Sequence, residues 1–434
     1  MHYIRLLRPA TIDTSDPDNP VLSLLLTITT DLGDSFLYPE DPVQLTFFST
    51  IDQYIRGGAS FGKSLLPLDS TRPVLWKPGM RVLNIKLRFD KEAISAKSSL
   101  TIAALERDPQ LVSLSETRDL LPWRVKEDRR ESEGLIADLV VEFDNGRFSA
   151  SVRRLACQHQ REELSRVNLV IEEDIGESIA RHIWDAGLVT AALLADSCRT
   201  KKKGFCIRDY LPLDKENRNP NVLELGCGVG ILGITIAGII GRAAKQQGVE
   251  LAVPSVILTD LPEAQTRARS NILRYSGSYA TKDIGYENLD WDEGKKSRFG
   301  PIVKSRFWDF IVLSDCTYNV DAFPSLVGTL TALHHLNVTN SDPEEKNRVT
   351  TKVLLSTKPR HDSEKVLFEL LKADGWTYQL KKSIPLPKLN DEEEVVEVYS
   401  IEKQVAPAQS SKKRKGADVH SSRSKKSTPT ISNS

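Results

Sequence analysis

The stretch Asn221-Val-Leu-Glu-Leu-Gly-Cys-Gly-Val-Gly-Ile-Leu-Gly233 decides the fold of this 434-residue chain. Val222, Leu223 and Leu225 form an apolar run with the length of a buried parallel strand. Gly226, Gly228 and Gly230 follow, and Ile231, Leu232, Ile234, Ile236 and Ala237 continue with no proline to stop them. The pattern predicts a strand, a tight glycine turn and a helix. Glycines at such a turn let the backbone take positive φ and come close to a ligand. The helix N-terminus then offers free N–H groups and the positive end of its dipole to a carboxylate or phosphate. Residues 228–233 also read formally as G-x-G-x-x-G, the dinucleotide fingerprint, and alone they leave a nicotinamide cofactor open.

Downstream, strand and helix patterns alternate, which predicts a Rossmann-like α/β domain with a mostly parallel sheet. A second strand over 255–259 ends at Asp260, where a carboxylate is placed to accept from both ribose hydroxyls of an adenosine. Residues 241–254 read as an insertion before it. A helix over 262–275 carries Pro262 in its first turn, where no N–H is needed. A third strand over 284–289 leads to Asp290-Trp291-Asp292, and Trp291 offers a stacking face. A fourth strand over 310–313 ends in Ser314-Asp315-Cys316-Thr317-Tyr318, at the sheet edge where open α/β folds bind ligands. A helix over 321–336, a strand over 353–356 leading to Lys358-Pro359-Arg360, a helix over 362–373 and a strand pair over 376–381 and 395–401 complete the pattern. The acidic run 391–394 reads as a solvated turn.

Upstream, residues 1–155 read as a β-rich extension without a catalytic constellation, a structural or substrate-selecting unit. Strands are predicted over 21–29, 44–48 and 81–89. The clearest local feature is a hairpin in which 136–143 turns at Asp144-Asn145-Gly146 and returns over 147–152, because Asn-Gly tolerates positive φ. Residues 105–133 read as an irregular charged loop with a helical turn. Residues 175–198 have helical spacing, with Gly187 as a break and His182 as a partly exposed helix residue. Trp184 fits either core packing or closure over a ligand. Residues 199–218 read as a basic connector between 156 and 403, the extent assigned to the α/β domain. From 404 to 434 the chain is rich in Ser, Lys and Arg, which predicts disorder. Its Lys412-Lys-Arg-Lys415 run fits a nuclear import signal, a nucleic-acid contact or a solubilising tail.

Composition narrows the classes. Lys plus Arg equals Asp plus Glu at 59 each, so no wholesale nucleic-acid binder is expected. Five cysteines, none in C-x-x-C spacing, read as reduced intracellular thiols with no metal site. The N-terminus lacks the apolar core of a signal peptide. The longest apolar run, 231–240, is too short to span a bilayer, so a soluble protein without a membrane partner is expected, and nothing in the sequence suggests more than a monomer.

The wider pattern Glu224-Leu-Gly226-Cys-Gly228-Val-Gly230 resembles motif I of the class I, seven-β-strand S-adenosylmethionine-dependent methyltransferases. Trp184-Asp185 before it, Asp260, Trp291 and Asp315-Cys-Thr-Tyr318 together resemble the protein-lysine methyltransferases of methyltransferase family 16 over residues 168–403. The resemblance implies S-adenosyl-L-methionine as cofactor, with contacts on Trp184, Glu224, Gly226, Cys227, Gly228, Gly230, Asp260, Trp291 and Ser314. In it Glu224 serves the cofactor's amino group, Asp315 directs the substrate amine and Tyr318 walls the lysine slot. Asn/Asp-Pro-Pro-Tyr, typical of amide and adenine N-methyltransferases, is absent. The implied partner is a protein, with translation factors, ribosomal proteins and chaperones as classes and a translation elongation factor as the first among them. An RNA or small-molecule methyltransferase, with nucleic acid reached only through the basic tail, and a non-catalytic cofactor-binding module are the alternatives. The expected location is the cytoplasm, extended to the nucleus if the tail directs import.

Overall fold

The computed structural model describes residues 1–51, 66–67, 73–89, 91–94, 97–105, 111–114, 117–124, 134–157, 167–176, 181–197, 206–211, 219–246, 255–278, 284–344, 346–387 and 393–405. The basic tail and most of the 199–218 connector lie outside the described residues.

Seven strands build the central sheet: β1 (Asn221–Leu225), β2 (Ser255–Asp260), β3 (Ile284–Asn288), β4 (Phe310–Ser314), β5 (Thr350–Thr357), β6 (Thr377–Pro385) and β7 (Val395–Gln404). Their order is β3-β2-β1-β4-β5-β7-β6. The first five are parallel, and β7 runs antiparallel between β5 and β6. The order reverses between β1 and β4, so the ligand edge of the sheet lies there.

Both faces of this sheet are covered, which is why its strands read as nearly unbroken apolar runs. Side chains alternate across it. Val222, Val256, Leu258, Val312 and Leu354 pack in one core. Leu223, Ile257, Ile311 and Leu355 pack in the other. The first core includes α1 (Asp185–Ser197) and α2 (Ile231–Gln246); the second includes α4 (Phe323–Asn340) and α5 (Val366–Ala373), while α3 (Pro262–Ser278) follows β2. Residues 185–194 of α1 are all buried. A helix without a polar face has to be enclosed, and α1 is held between the central sheet and the N-terminal unit.

That unit has two sheets. One orders Thr11–Asp13, Val21–Thr29, His2–Leu6, Gly134–Ala137 and Leu111–Leu114, with Leu83–Arg88 on the second strand; the other orders Val167–Glu173, Arg147–Cys157, Leu139–Asp144, Lys97–Ala104, Val43–Ile51 and Leu66–Pro67. Leu22, Leu24, Leu26 and Ile28 alternate inward and meet Leu100, Ile102, Val141 and Phe143 of the facing sheet in a shared core. Between the sheets, Arg153 is 1% exposed. Its Nε donates to Glu173 at 2.5 Å, and its Nη atoms donate to the carbonyls of Ile4, Ala137 and Asp138 at 2.6–2.9 Å. Glu173 also accepts from the Ile183 N–H at 2.8 Å, fixing the lead-in to α1.

Several expectations need correction. The β-rich region does not end at 155, because Val167–Glu173 pairs along Arg147–Cys157. The hairpin turn forms as expected, with Asn145 at φ 49° and Gly146 at φ 71°, but its first strand starts at Leu139. Residues 134–137 cross to the other sheet, where they pair in parallel with His2–Leu6 and with Leu111–Leu114. The latter strand interrupts what reads as an irregular loop, since its register is set by partners distant in sequence. The helix predicted from 175 begins at Asp185 and is not broken at Gly187. Among the described residues no helix is long and apolar enough to cross a membrane.

Candidate active site

The glycine turn sits at the carboxyl end of β1. Gly226, Gly228 and Gly230 have φ of 62°, 53° and 84°. At Gly226 a Cβ would meet Cys316 Sγ at 2.7 Å and Trp291 Cζ2 at 3.4 Å; at Gly230 it would meet Leu258 at 2.4 Å. Glycine is required at both for backbone conformation and for space. The turn floors a cavity of about 420 Å³, whose walls include Trp184, Gly187, Gly226, Cys227, Gly228, Asp260, Trp291, Ser314, Asp315 and Tyr318. Nine predicted site residues are thus brought together, while Glu224 and Gly230 lie outside this lining.

Glu224 follows from strand alternation. It shares a face with Val222 and so points beneath α2 rather than to the sheet edge. Its Oε2 accepts from the Gly233 N–H at 2.9 Å. Gly233 makes room, because a Cβ there would lie 2.6 Å from that oxygen. Burial pushes the carboxyl up to about 8. Between the ordinary carboxyl range and pH 8 the folded chain therefore holds a proton that the unfolded chain has lost, and stability falls as pH rises through this window. Glu224→Gln keeps the shape and removes the titration. Its unfolding temperature is expected to equal or exceed that of wild type at pH 6, with the gap widening by pH 9. A variant less stable at both pH values would show that the carboxylate itself is needed.

Asp260 faces the cavity from the end of β2. Its oxygens accept from the Gly228 and Leu261 N–H groups, each at 2.7 Å. A carboxylate offers about four acceptor sites, so capacity remains for a ligand's hydroxyls. Burial raises its pKa. Trp291 begins a short helix after β3, capped by the Asp290 carboxylate, which accepts from Asp292 N–H. Its carbonyl is held by Thr329 Oγ1 at 3.0 Å.

Asp315 follows β4 with φ 49°, a left-handed conformation that Asp tolerates better than most residues. Its Oδ2 accepts from the Ala186 N–H of α1 at 2.7 Å. Its Oδ1 accepts from Arg360 Nη1 at 3.2 Å and from the Lys358 N–H at 3.3 Å. Burial raises its pKa to about 6 against the opposing effect of Arg360. Three of about four acceptor sites are used, leaving one toward the cavity. Tyr318 is 55% exposed at the mouth. Its ring stacks with that of Trp184 at 5.9 Å and 20°, and the Arg360 guanidinium lies 5.1 Å from the Trp184 ring centroid. His182 also lines the cavity and bonds the Gly176 carbonyl through Nε2 at 2.7 Å.

Sequence reading missed the groups that hold this mouth from outside the α/β pattern. Arg360 reads as part of a loop, and Asp31 belongs to the N-terminal unit. Asp31 accepts from Arg360 Nη2 at 2.8 Å. Asp185, fully buried, accepts from Tyr3 Oη at 2.6 Å and Lys358 Nζ at 2.9 Å. Thr317 bonds Glu364, which in turn accepts from the Arg360 and His361 N–H groups and so ties the loops after β4 and β5 together. Among the described residues no group of His, Cys, Asp and Glu is arranged to hold a metal ion.

Parts of this chain are similar to known proteins. Residues 163–374 match the family described as lysine methyltransferase. A UPF0665 family protein of Schizosaccharomyces pombe is 31% identical over 47% of this chain and 49% of its own. The protein-lysine N-methyltransferase EFM6 of Saccharomyces cerevisiae is 28% identical over 38% of this chain and 63% of its own. The chain thus spans about half to two-thirds of the length of these curated relatives. Among solved structures, M. jannaschii TYW2 in complex with AdoMet is 11% identical over 58% of this chain and 87% of its own, with a TM-score of 0.30.

Proposed function

Because residues 163–374 carry a domain of the lysine methyltransferase family, we propose that this chain transfers a methyl group from S-adenosylmethionine to the side-chain amine of a lysine in a protein. The observation that supports this most is one cavity that joins the glycine turn, Asp260 and Trp291 to Asp315 and the Trp184–Tyr318 pair. The residues present fit the cofactor. Gly226 leaves no room for a Cβ between Cys316 and Trp291, Asp260 keeps acceptor sites for ribose hydroxyls, and Trp291 supplies a face for adenine. Gly226, Cys227, Gly228 and Ser314 would border the rest. When bound, S-adenosylmethionine supplies an electrophilic methyl carbon.

The chain's own residues prepare the amine. An ammonium has no lone pair and must lose a proton before attack. The Trp184 and Tyr318 rings replace water around it, and desolvation lowers a lysine pKa. The open acceptor site of Asp315 fixes the direction of an N–H, and positioning of two bound reactants is worth several kcal/mol in general. The substrate is sought among translation factors, ribosomal proteins and chaperones, the classes implied by the family resemblance, with a translation elongation factor first, and with the protein acting as a monomer in the cytoplasm.

The test is transfer of radiolabelled methyl from S-adenosylmethionine into an extract of cells lacking this protein, resolved with and without protease and nuclease. One protease-sensitive, nuclease-resistant band is expected. Label removed by nuclease, or confined to small molecules, would replace this reading with an RNA or metabolite substrate.

A further inference from the structure

The cavity mouth depends on a residue far outside the matched segment. Asp31 follows the Val21–Thr29 strand of the N-terminal unit and is 4% exposed. Its Oδ2 accepts from Arg360 Nη2 at 2.8 Å and from the Asp185 N–H of α1 at 3.2 Å. The opposite amine of the same guanidinium, Nη1, reaches Asp315 Oδ1 at 3.2 Å. A guanidinium is a rigid planar fork, so holding both of its ends fixes its plane. That group is the one set against the Trp184 ring, and Trp184 stacks with Tyr318. We propose that Asp31 is a positioning residue for methyl transfer: through Arg360 it sets Trp184 against Tyr318 and holds the Asp315 carboxylate at the cavity wall.

Two features support this beyond the link through Arg360. Lys358 Nζ, 3.6 Å from Asp31 Oδ1, is also committed to Asp185 and Glu394, so it is not free to replace Arg360. Asp31 binds α1 at its first residue, and Asp315 binds the next N–H, so the two carboxylates jointly fix the helix end that carries Trp184. Without the charge on Asp31, the guanidinium would keep only its Nη1 contacts, to Asp315 and to the Lys358 carbonyl, and its other end would be free to turn away from the ring. The N-terminal unit therefore completes the mouth rather than serving only as an added substrate-binding domain. The activity arm of the test rests on the methyltransferase reading; the spectroscopic arm does not.

The experiment uses the full chain as wild type, Asp31→Asn, Arg360→Lys and the double variant, each also made with Trp184→Phe so that subtraction isolates the Trp184 emission. Asp31→Asn should raise iodide quenching of Trp184 about twofold and lower kcat for methyl transfer roughly tenfold, the scale of a small misplacement of reacting groups. Binding of S-adenosylhomocysteine should weaken by less than kcat falls, because the glycine turn and Asp260 are untouched and only the Trp184 side of the cavity shifts. The double variant should be no worse than the more impaired single variant, since both substitutions break one link. Lower thermal stability with unchanged Trp184 quenching would overturn the proposal, as would additive losses in the double variant. If Asp31→Asn does not fold, Arg360→Lys carries the same expected signature and the same power to overturn it. Absence of methyl transfer by wild type, with the quenching change present, would sink the methyltransferase reading and leave standing only the setting of Trp184 by Asp31 through Arg360.

Discussion

Replacing Asp315 with alanine is expected to lower single-turnover methyl transfer by about 10²–10⁴-fold, the range spanned by positioned acid–base groups, while S-adenosylhomocysteine binding changes little. The substitution removes the carboxylate that joins α1, β4 and the loop after β5. The Ala186 N–H loses its partner, and Arg360 keeps only Asp31 among its carboxylates. Alanine at φ 49° costs about 1 kcal/mol more than in an ordinary conformation. Asparagine tolerates the backbone and keeps one acceptor, so Asp315→Asn should fold better while remaining slow. The pH profile separates charge from shape. With its carboxyl pushed up to about 6, wild type should gain activity as pH rises through that value, and Asp315→Asn should lack this limb. Activity of Asp315→Ala equal to that of wild type would remove Asp315 from the reaction.

The second large effect is on stability. Glu173→Ala leaves the Arg153 guanidinium buried without its carboxylate, although three carbonyls still accept from it. Removing one member of a buried ion pair costs roughly 3–5 kcal/mol, and that loss is expected in urea unfolding at pH 7. Burial alone would raise the Glu173 carboxyl, but the surrounding charges, Arg153 first, outweigh it and hold the group down to about 2, whereas an unfolded Glu titrates at ~4.3. A depressed acid stabilises the fold above its unfolded pKa and loses that contribution as pH falls through the folded value. The difference between wild type and Glu173→Ala should therefore be full above about pH 5 and nearly gone by pH 2. The apolar pair Arg153→Met with Glu173→Leu should cost less than Glu173→Ala alone, because no charge is left buried. A loss below ~1 kcal/mol in the single variant would mean that the carbonyls suffice for Arg153.

The central sheet was legible because its signals are local. The glycine turn, Asp260 and Asp315 each stand directly after an apolar run, so the ends of β1, β2 and β4 could be located to within a residue, whereas β6 and β7 run three or four residues past their predicted ends. Eight of the nine lining residues came with them, since the carboxyl edge of a parallel sheet gathers whatever ends or follows its strands, while Trp184 stands just before α1. Glu224 shows where spacing stops informing: proximity to the glycines suggests a ligand contact, while alternation along β1 sends its side chain under α2. The strand Leu111–Leu114 was illegible because its parallel partner supplies the register. Arg360, Lys358, Asp31 and Tyr3 carry no motif. Lys358 and Arg360 do follow β5 at the ligand edge, but their roles, like those of Asp31 and Tyr3, come from tertiary juxtaposition.

Tyr3 meets Asp185 across 182 positions, and Asp31 meets Arg360 across 329. Contacts this distant in sequence close late, because the loop entropy must be met before they contribute. On a ribosome, His2–Leu6 emerges long before its parallel neighbour Gly134–Ala137, and Asp31 stays hydrated until β5 and its following loop have been made. Maturation of the mouth is therefore among the last events of biogenesis: a nascent chain with its glycine turn already formed still lacks the guanidinium that sets Trp184.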